Sequence, residues 1–311
     1  MKEGRGFLLV LVVTAVLYLP LLRLGFLADF FWFLPMEDPD PSWAPNVVDF
    51  ATARERWSAY GLDAWWGPAD FRWALWRPLS NALLELQWRF FGAEGMGYHG
   101  LSLGFYLLLL LPVWRLYRGF LNPLPALLAL SLFAAHFGHL QSIWFHSNQH
   151  SLLSVLPALL ALLAHRHGRE GGGRRWGLVA PLLLVLALAS GESALGMVSY
   201  FLAYELFVSK DTFQKRAASL VPVVGLCGLY LVAHSALGYQ TRGSLVYLDP
   251  AAEPLAFGRA VGDRLPALIA GTFNVLPADI WSLRPELRPL QVVAAGVVGV
   301  RIAGIDADGH I

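Results

Sequence analysis

Cysteine and charge are both scarce in this chain. The single cysteine among 311 residues, Cys227, allows no intramolecular disulfide and no cysteine-built metal centre. Its place inside an apolar run reads as an inert buried thiol. Charged residues make up 14% of the chain, against about 25% in an average soluble domain. So little charge cannot cover the core of a soluble enzyme of this length. The high apolar share, 56%, excludes a disordered chain, and the lack of any sustained period excludes collagen and coiled coil. A formal net charge of only +1 gives no footing for a nucleic-acid partner. What remains, with a mean hydropathy of +0.52, is a polytopic membrane protein with membrane lipid as its surroundings.

Long apolar runs are what the sequence has in quantity. A bilayer core needs about 20 apolar residues per helix. The first run, Phe7–Leu27, follows a slightly basic flank and precedes no A-x-A cleavage site, so it reads as an uncleaved anchor. Residues 28–98 hold no full-length span. Further runs cover 99–114, 120–139, 148–164, 177–190, 194–208, 217–237, 266–282 and 289–303, the last two interrupted by Pro277, Asp279 and glycines. The expected fold is all-α and polytopic, one domain over 1–311 with about eight or nine transmembrane helices. Cations collect at 114–118, 166–175 and 210–216, whereas 140–147 and 190–193 hold no Lys or Arg. The positive-inside rule then places the N-terminus in the cytoplasm and 28–98 outside it. The tail Arg301–Ile311 reads unlike a membrane-protein terminus and points to a chain cut short at that end.

The first outer loop is unusual. Residues 29–98 contain ten Asp or Glu, five Arg, no Lys and eight of the twelve tryptophans, so it is a concentrated acidic and aromatic segment. The tryptophans read either as an interfacial belt or as platforms for sugar rings. Pro78–Phe91 spaces its apolar residues as an amphipathic helix lying on a membrane surface would. Glu37 and Asp38 stand just beyond the first span. They read as a solvated acidic turn, as a general base, or as ligands for a divalent cation. Asp29 is the rival carboxylate.

Polar residues elsewhere gather toward the same face. His99, His136, His139, His146 and His150 fall at outer positions, with His136 and His139 spaced for one helix face. Metal ligation and ordinary hydrogen bonding both fit them. Glu192, in Ser190-Gly-Glu192, reads as an exposed turn or as a functional carboxylate at membrane depth. The triple glycine 171–173 is a flexible linker, and Glu205 reads as interfacial.

Several short motifs, in order, resemble the GT-C superfamily of polytopic glycosyltransferases. The nearest likeness is to the membrane part of TMTC-type and bacterial mannosyltransferase-like proteins. These motifs are Glu37-Asp38-Pro39, Trp76-Arg-Pro-Leu79, Gly97-Tyr-His99, Phe133-Ala-Ala-His136 through Ser142-Ile-Trp144, and Ser190-Gly-Glu192. Gly191 stands where that family has Lys. The resemblance covers about residues 7–210. It implies an enzyme of the bacterial inner membrane and cell envelope, moving a sugar from a polyprenyl-phosphate donor to a protein or glycan acceptor. It implies Asp38, with Glu37 beside it, as general base. It implies Arg77 as the cation for the leaving phosphate, and His99, His139, His146 and Glu192 as pocket residues. The rival expectations are a transporter or lipid-linked-glycan handling protein using the same outer pocket, and an envelope scaffold.

Overall fold

The computed structural model describes residues 2–26, 72–73, 75–173, 175–239, 241–242, 248, 250, 252–272, 276, 278 and 280–303. Asp29, Glu37, Asp38 and most of the acidic loop lie outside the described residues. The chain forms two compact units, Met1–Gly243 and Ser244–Ile311.

The first unit is helical. Its elements are α1 Lys2–Tyr18, α2 Pro78–Phe91, α3 Gly95–Arg118, α4 Pro123–Ala134, α5 Leu140–Trp144, α6 Gln149–Arg169, α7 Trp176–Ser190, α8 Ser193–Gly196, α9 Val198–Ala203 and α10 Phe213–Ala236. A π-helical turn, Tyr204–Val208, continues α9. Two-residue strands, Arg72–Trp73 and Thr241–Arg242, pair antiparallel. The second unit packs α11 Pro254–Thr272 against α13 Arg288–Ala303, with α12 Ile280–Leu283 between them in sequence. The expected span at 266–282 therefore coincides with the end of α11 and the separate α12.

Among the described residues, four segments are long and apolar enough to cross a membrane: Gly4–Arg23, Gly95–Arg118, His146–Arg169 and Phe213–Ala236. A fifth arises if Pro123–Ala134 and Phe137–Trp144, bent by 50°, act as one. Trp176–Ser190 and Ser193–Val208 are apolar but shorter. These lengths and compositions are compatible with a membrane protein. The outer faces agree: Leu8, Leu9, Val12, Val13, Val16 and Leu17 of α1 are all exposed. In water that much apolar surface costs about 25 cal/mol per Å², a penalty that lipid removes.

The core of the first unit runs through α3, α4, α5, α6 and α7 and is built on Tyr106, Leu110, Leu130, Ile143, Ala161 and Leu184. α4 stops at Ala134 because two phenols take its last free carbonyl. Tyr18 and Tyr106 each donate to the Ala134 oxygen at 3.0 Å. His136 then turns extended and its Nδ1 accepts the Gly138 amide at 3.0 Å. His136 and His139 therefore do not share a continuous helix face, because the helix breaks at the first of them. Their rings still meet, 5.7 Å apart.

α2 has the bounds that the apolar spacing predicts, and its inward side mixes polar and apolar residues. Ser80 and Gln87 point into the bundle, where Ser80 Oγ donates to the Ser190 carbonyl and Gln87 is almost fully buried. Leu79, Leu86 and Phe90 are exposed. The seven-residue separation of Ser80 and Gln87 is two helical turns, so one polar stripe faces inward. Polar contacts thus anchor α2 to the bundle beside half-buried Leu83, Leu84, Trp88 and Phe91.

Candidate functional site

Arg77 lies at the entrance to α2, and Glu192 in the turn between α7 and α8. Arg77 Nε donates to Glu192 Oε2 at 2.7 Å, with the two side chains 17% and 28% exposed. Burial of this degree leaves the pair less screened than a surface pair. Arg77 Nη1 lies 3.2 Å from His150 Nδ1 on the first turn of α6. That same Nδ1 lies 2.7 Å from the Ser147 carbonyl, and Ser151 Oγ lies 3.4 Å from Nε2.

Backbone contacts fix the frame around these side chains. Ser80 Oγ donates to the Ser190 carbonyl at 2.6 Å, and Ser154 Oγ to the Gly191 carbonyl at 3.0 Å. The turn is thus held from α2 on one side and from α6 on the other. Gly191 is needed for closeness: a Cβ there would meet His150 Cδ2 at 3.1 Å. Trp76, the preceding residue, stacks on Tyr230 of α10 with ring centres 5.3 Å apart, and on Tyr239 at 6.2 Å. Tyr230 also donates to the Trp76 carbonyl at 3.3 Å. Gly238, at φ 77°, takes the left-handed turn that brings Tyr239 back over the helix end.

A buried amide ladder runs beside the site. Gln87 Nε2 donates to Gln149 Oε1 at 2.6 Å, and Gln149 Nε2 to Ser102 Oγ at 2.8 Å. Tyr98 packs edge-on against His146, with ring centres 4.7 Å apart, and donates to the Gly92 carbonyl at 2.8 Å. Gly97 leaves room for the Phe91 ring, which a Cβ would meet at 2.4 Å. His99 is 1% exposed on the same turn of α3. Gly97-Tyr98-His99 therefore joins α2 to α3.

The structure brings Arg77 and Glu192 together. It adds His150, which sequence reasoning counted among the histidines without giving it a role. His146 and His99 lie one face over, against Tyr98 and Phe26. His139 belongs to another cluster, its ring against Phe133 at 4.4 Å and Tyr106 at 5.2 Å. Among the described residues no three His, Cys, Asp or Glu side chains converge as metal ligands. The carboxylates expected to hold a cation, Glu37 and Asp38, are outside them.

A second polar cluster lies toward the other end of α6. Glu205, in the π-helical turn, is 1% exposed. His165 Nε2 lies 2.8 Å from its Oε1, and Arg169 donates to both oxygens at 2.9 and 3.2 Å. Arg169 also reaches Asp211 at 2.7 Å. Arg166 and Arg169 are thus part of the last turns of α6, not of a loop. The four-residue spacing of His165 and Arg169 is the signal that puts them on one helix face.

No protein-family model matches this chain, and no curated protein or solved structure shows significant similarity to it.

Proposed function

We propose that this protein is a polytopic membrane glycosyltransferase of the GT-C kind, moving a sugar from a polyprenyl-phosphate donor to an acceptor at one membrane face. The observation that carries the reading is the contact between two separated motifs. Trp76-Arg-Pro-Leu79 and Ser190-Gly-Glu192 are far apart in sequence, yet Arg77 binds Glu192 and Ser80 binds the Ser190 carbonyl. Two of the five motifs of the resemblance thus meet in space.

In the proposed reaction an acceptor oxygen attacks the sugar C1. Its proton passes to Asp38, with Glu37 beside it, as general base. The C1–O bond to phosphate breaks, and the departing oxygen keeps the electron pair. Arg77 meets that developing charge with the donors of its guanidinium fork that are not turned to Glu192. Glu192 is a positioning residue that aims the fork. Gln87, Gln149 and His146 shape the polar wall behind it. The protein would cross the bacterial inner membrane eight or nine times, counting α7, the 193–208 segment and the second unit, with its N-terminus in the cytoplasm.

The test is transfer by the purified full chain in proteoliposomes, supplied with a panel of polyprenyl-phosphate hexoses and membrane-extract acceptors. Wild type forms product, and Asp38→Asn and Arg77→Ala do not. Movement of the intact lipid-linked sugar across the bilayer without transfer would replace this reading with a transport function.

A further inference from the structure

His150 Nδ1 lies within hydrogen-bond distance of two groups that it cannot serve at once. It is 3.2 Å from Arg77 Nη1, which only donates, and 2.7 Å from the Ser147 carbonyl, which only accepts. A neutral imidazole carries its proton on one nitrogen. With the proton on Nδ1, the ring donates to Ser147, and Arg77 Nη1 faces an N–H it cannot bond. With the proton on Nε2, Nδ1 accepts from Arg77, and the Ser147 carbonyl loses its donor. The other nitrogen suits either state, because Ser151 Oγ, 3.4 Å away, can donate or accept.

We infer that His150 is a two-state positioning residue whose tautomer decides whether the Arg77 Nη1 hydrogen turned toward it is occupied or released, and that a phosphate monoester that takes this hydrogen selects the released state. The inference rests on the glycosyltransferase reading for its ligand class, and on geometry alone for the two states. Glu192 holds Nε in both, so the fork keeps its aim while one of its outer donors changes partner. Gly191 lets the turn pass close to the ring, since a Cβ there would meet His150 Cδ2 at 3.1 Å. Both states satisfy Nε2, so their energies differ by one hydrogen bond exchanged for another, and a ligand that uses Nη1 tips them.

The experiment uses the full chain labelled with ¹⁵N-histidine in lipid nanodiscs. The nine histidines are sorted by the signal that His150→Asn removes. In the free wild type both tautomers of His150 are populated. Arg77→Met removes the competing donor, so only the Nδ1–H form remains. Saturating citronellyl phosphate moves wild type to that same form. Inorganic phosphate does so as well if the anion alone suffices, and fails to if the prenyl chain is needed. An identical His150 spectrum in wild type and Arg77→Met overturns the two-state inference. A spectrum that answers Arg77→Met but neither phosphate overturns the ligand assignment, while the transfer assay judges the glycosyltransferase reading separately. Affinity gives a second readout that does not depend on Arg77→Met folding. His150→Leu removes the competing acceptor, so citronellyl phosphate binds about twofold tighter if the two forms were evenly populated. A loss of affinity in that variant overturns the inference, because it makes His150 a ligand or a pillar.

Discussion

Arg77 Nε sits 2.7 Å from Glu192 Oε2, across 115 positions of sequence. The pair ties the start of α2 to the turn after α7, and each partner is the other's charge compensation in a partly buried place. A double-mutant cycle with Arg77→Ala and Glu192→Ala therefore gives a coupling of about 1–2 kcal/mol. Equilibrium unfolding in mixed micelles measures it, and strictly additive losses would remove the contact from the solution structure.

The amide ladder gives a second expectation. Gln149→Leu strands the Gln87 amide and the Ser102 hydroxyl, both buried, and lowers stability by about 1–3 kcal/mol. Gln87→Leu combined with Gln149→Leu costs less than the sum of the two, because no orphaned partner remains between them. Thermal unfolding of the three variants decides it.

Gly97→Ala drives a methyl group into the Phe91 ring, which lies within 2.7 Å of the position it would take. Overpacking of this kind costs about 1–3 kcal/mol. Phe91→Leu in the same chain relieves the clash and recovers part of the loss. An unchanged melting temperature in the single variant would mean that α2 and α3 do not meet there.

Long apolar helices were legible in the sequence because lipid-facing segments must be apolar all along their length. The bounds of α2 followed from its spacing and from Pro78. Its inward face did not, because hydrophobic spacing shows which residues share a side and not which side is buried. Ser80 and Gln87 turn to the bundle together with half-buried Leu84 and Phe91, while Leu79, Leu86 and Phe90 are exposed. Arg77 and Glu192 were legible one by one as charges near apolar runs. His150 was not, because its role depends on two partners, one in α2's approach and one a backbone carbonyl. The burial of Glu205 was not legible for the same reason: its partners Arg169 and His165 lie on another helix.

The two polar clusters of α6 act independently. His150 and His165 are 15 residues apart on this helix, about 22 Å at the usual rise. Glu205→Ala leaves Arg169 and His165 without their shared carboxylate and destabilises the fold by about 3–5 kcal/mol. Glu205→Gln keeps a hydrogen-bond acceptor and costs less. Neither variant that remains folded changes the affinity for citronellyl phosphate, as a binding isotherm will show.

The central claim is that Arg77 serves a departing phosphate during sugar transfer. The most direct measurement is single-turnover transfer from a polyprenyl-phosphate sugar in proteoliposomes, comparing wild type with Arg77→Lys. Lysine keeps the charge but not the planar fork. The account predicts product in wild type and a rate lower by about 100-fold or more in the variant, with its melting temperature close to wild type. Equal rates, or no transfer by wild type from any polyprenyl-phosphate sugar, would contradict it.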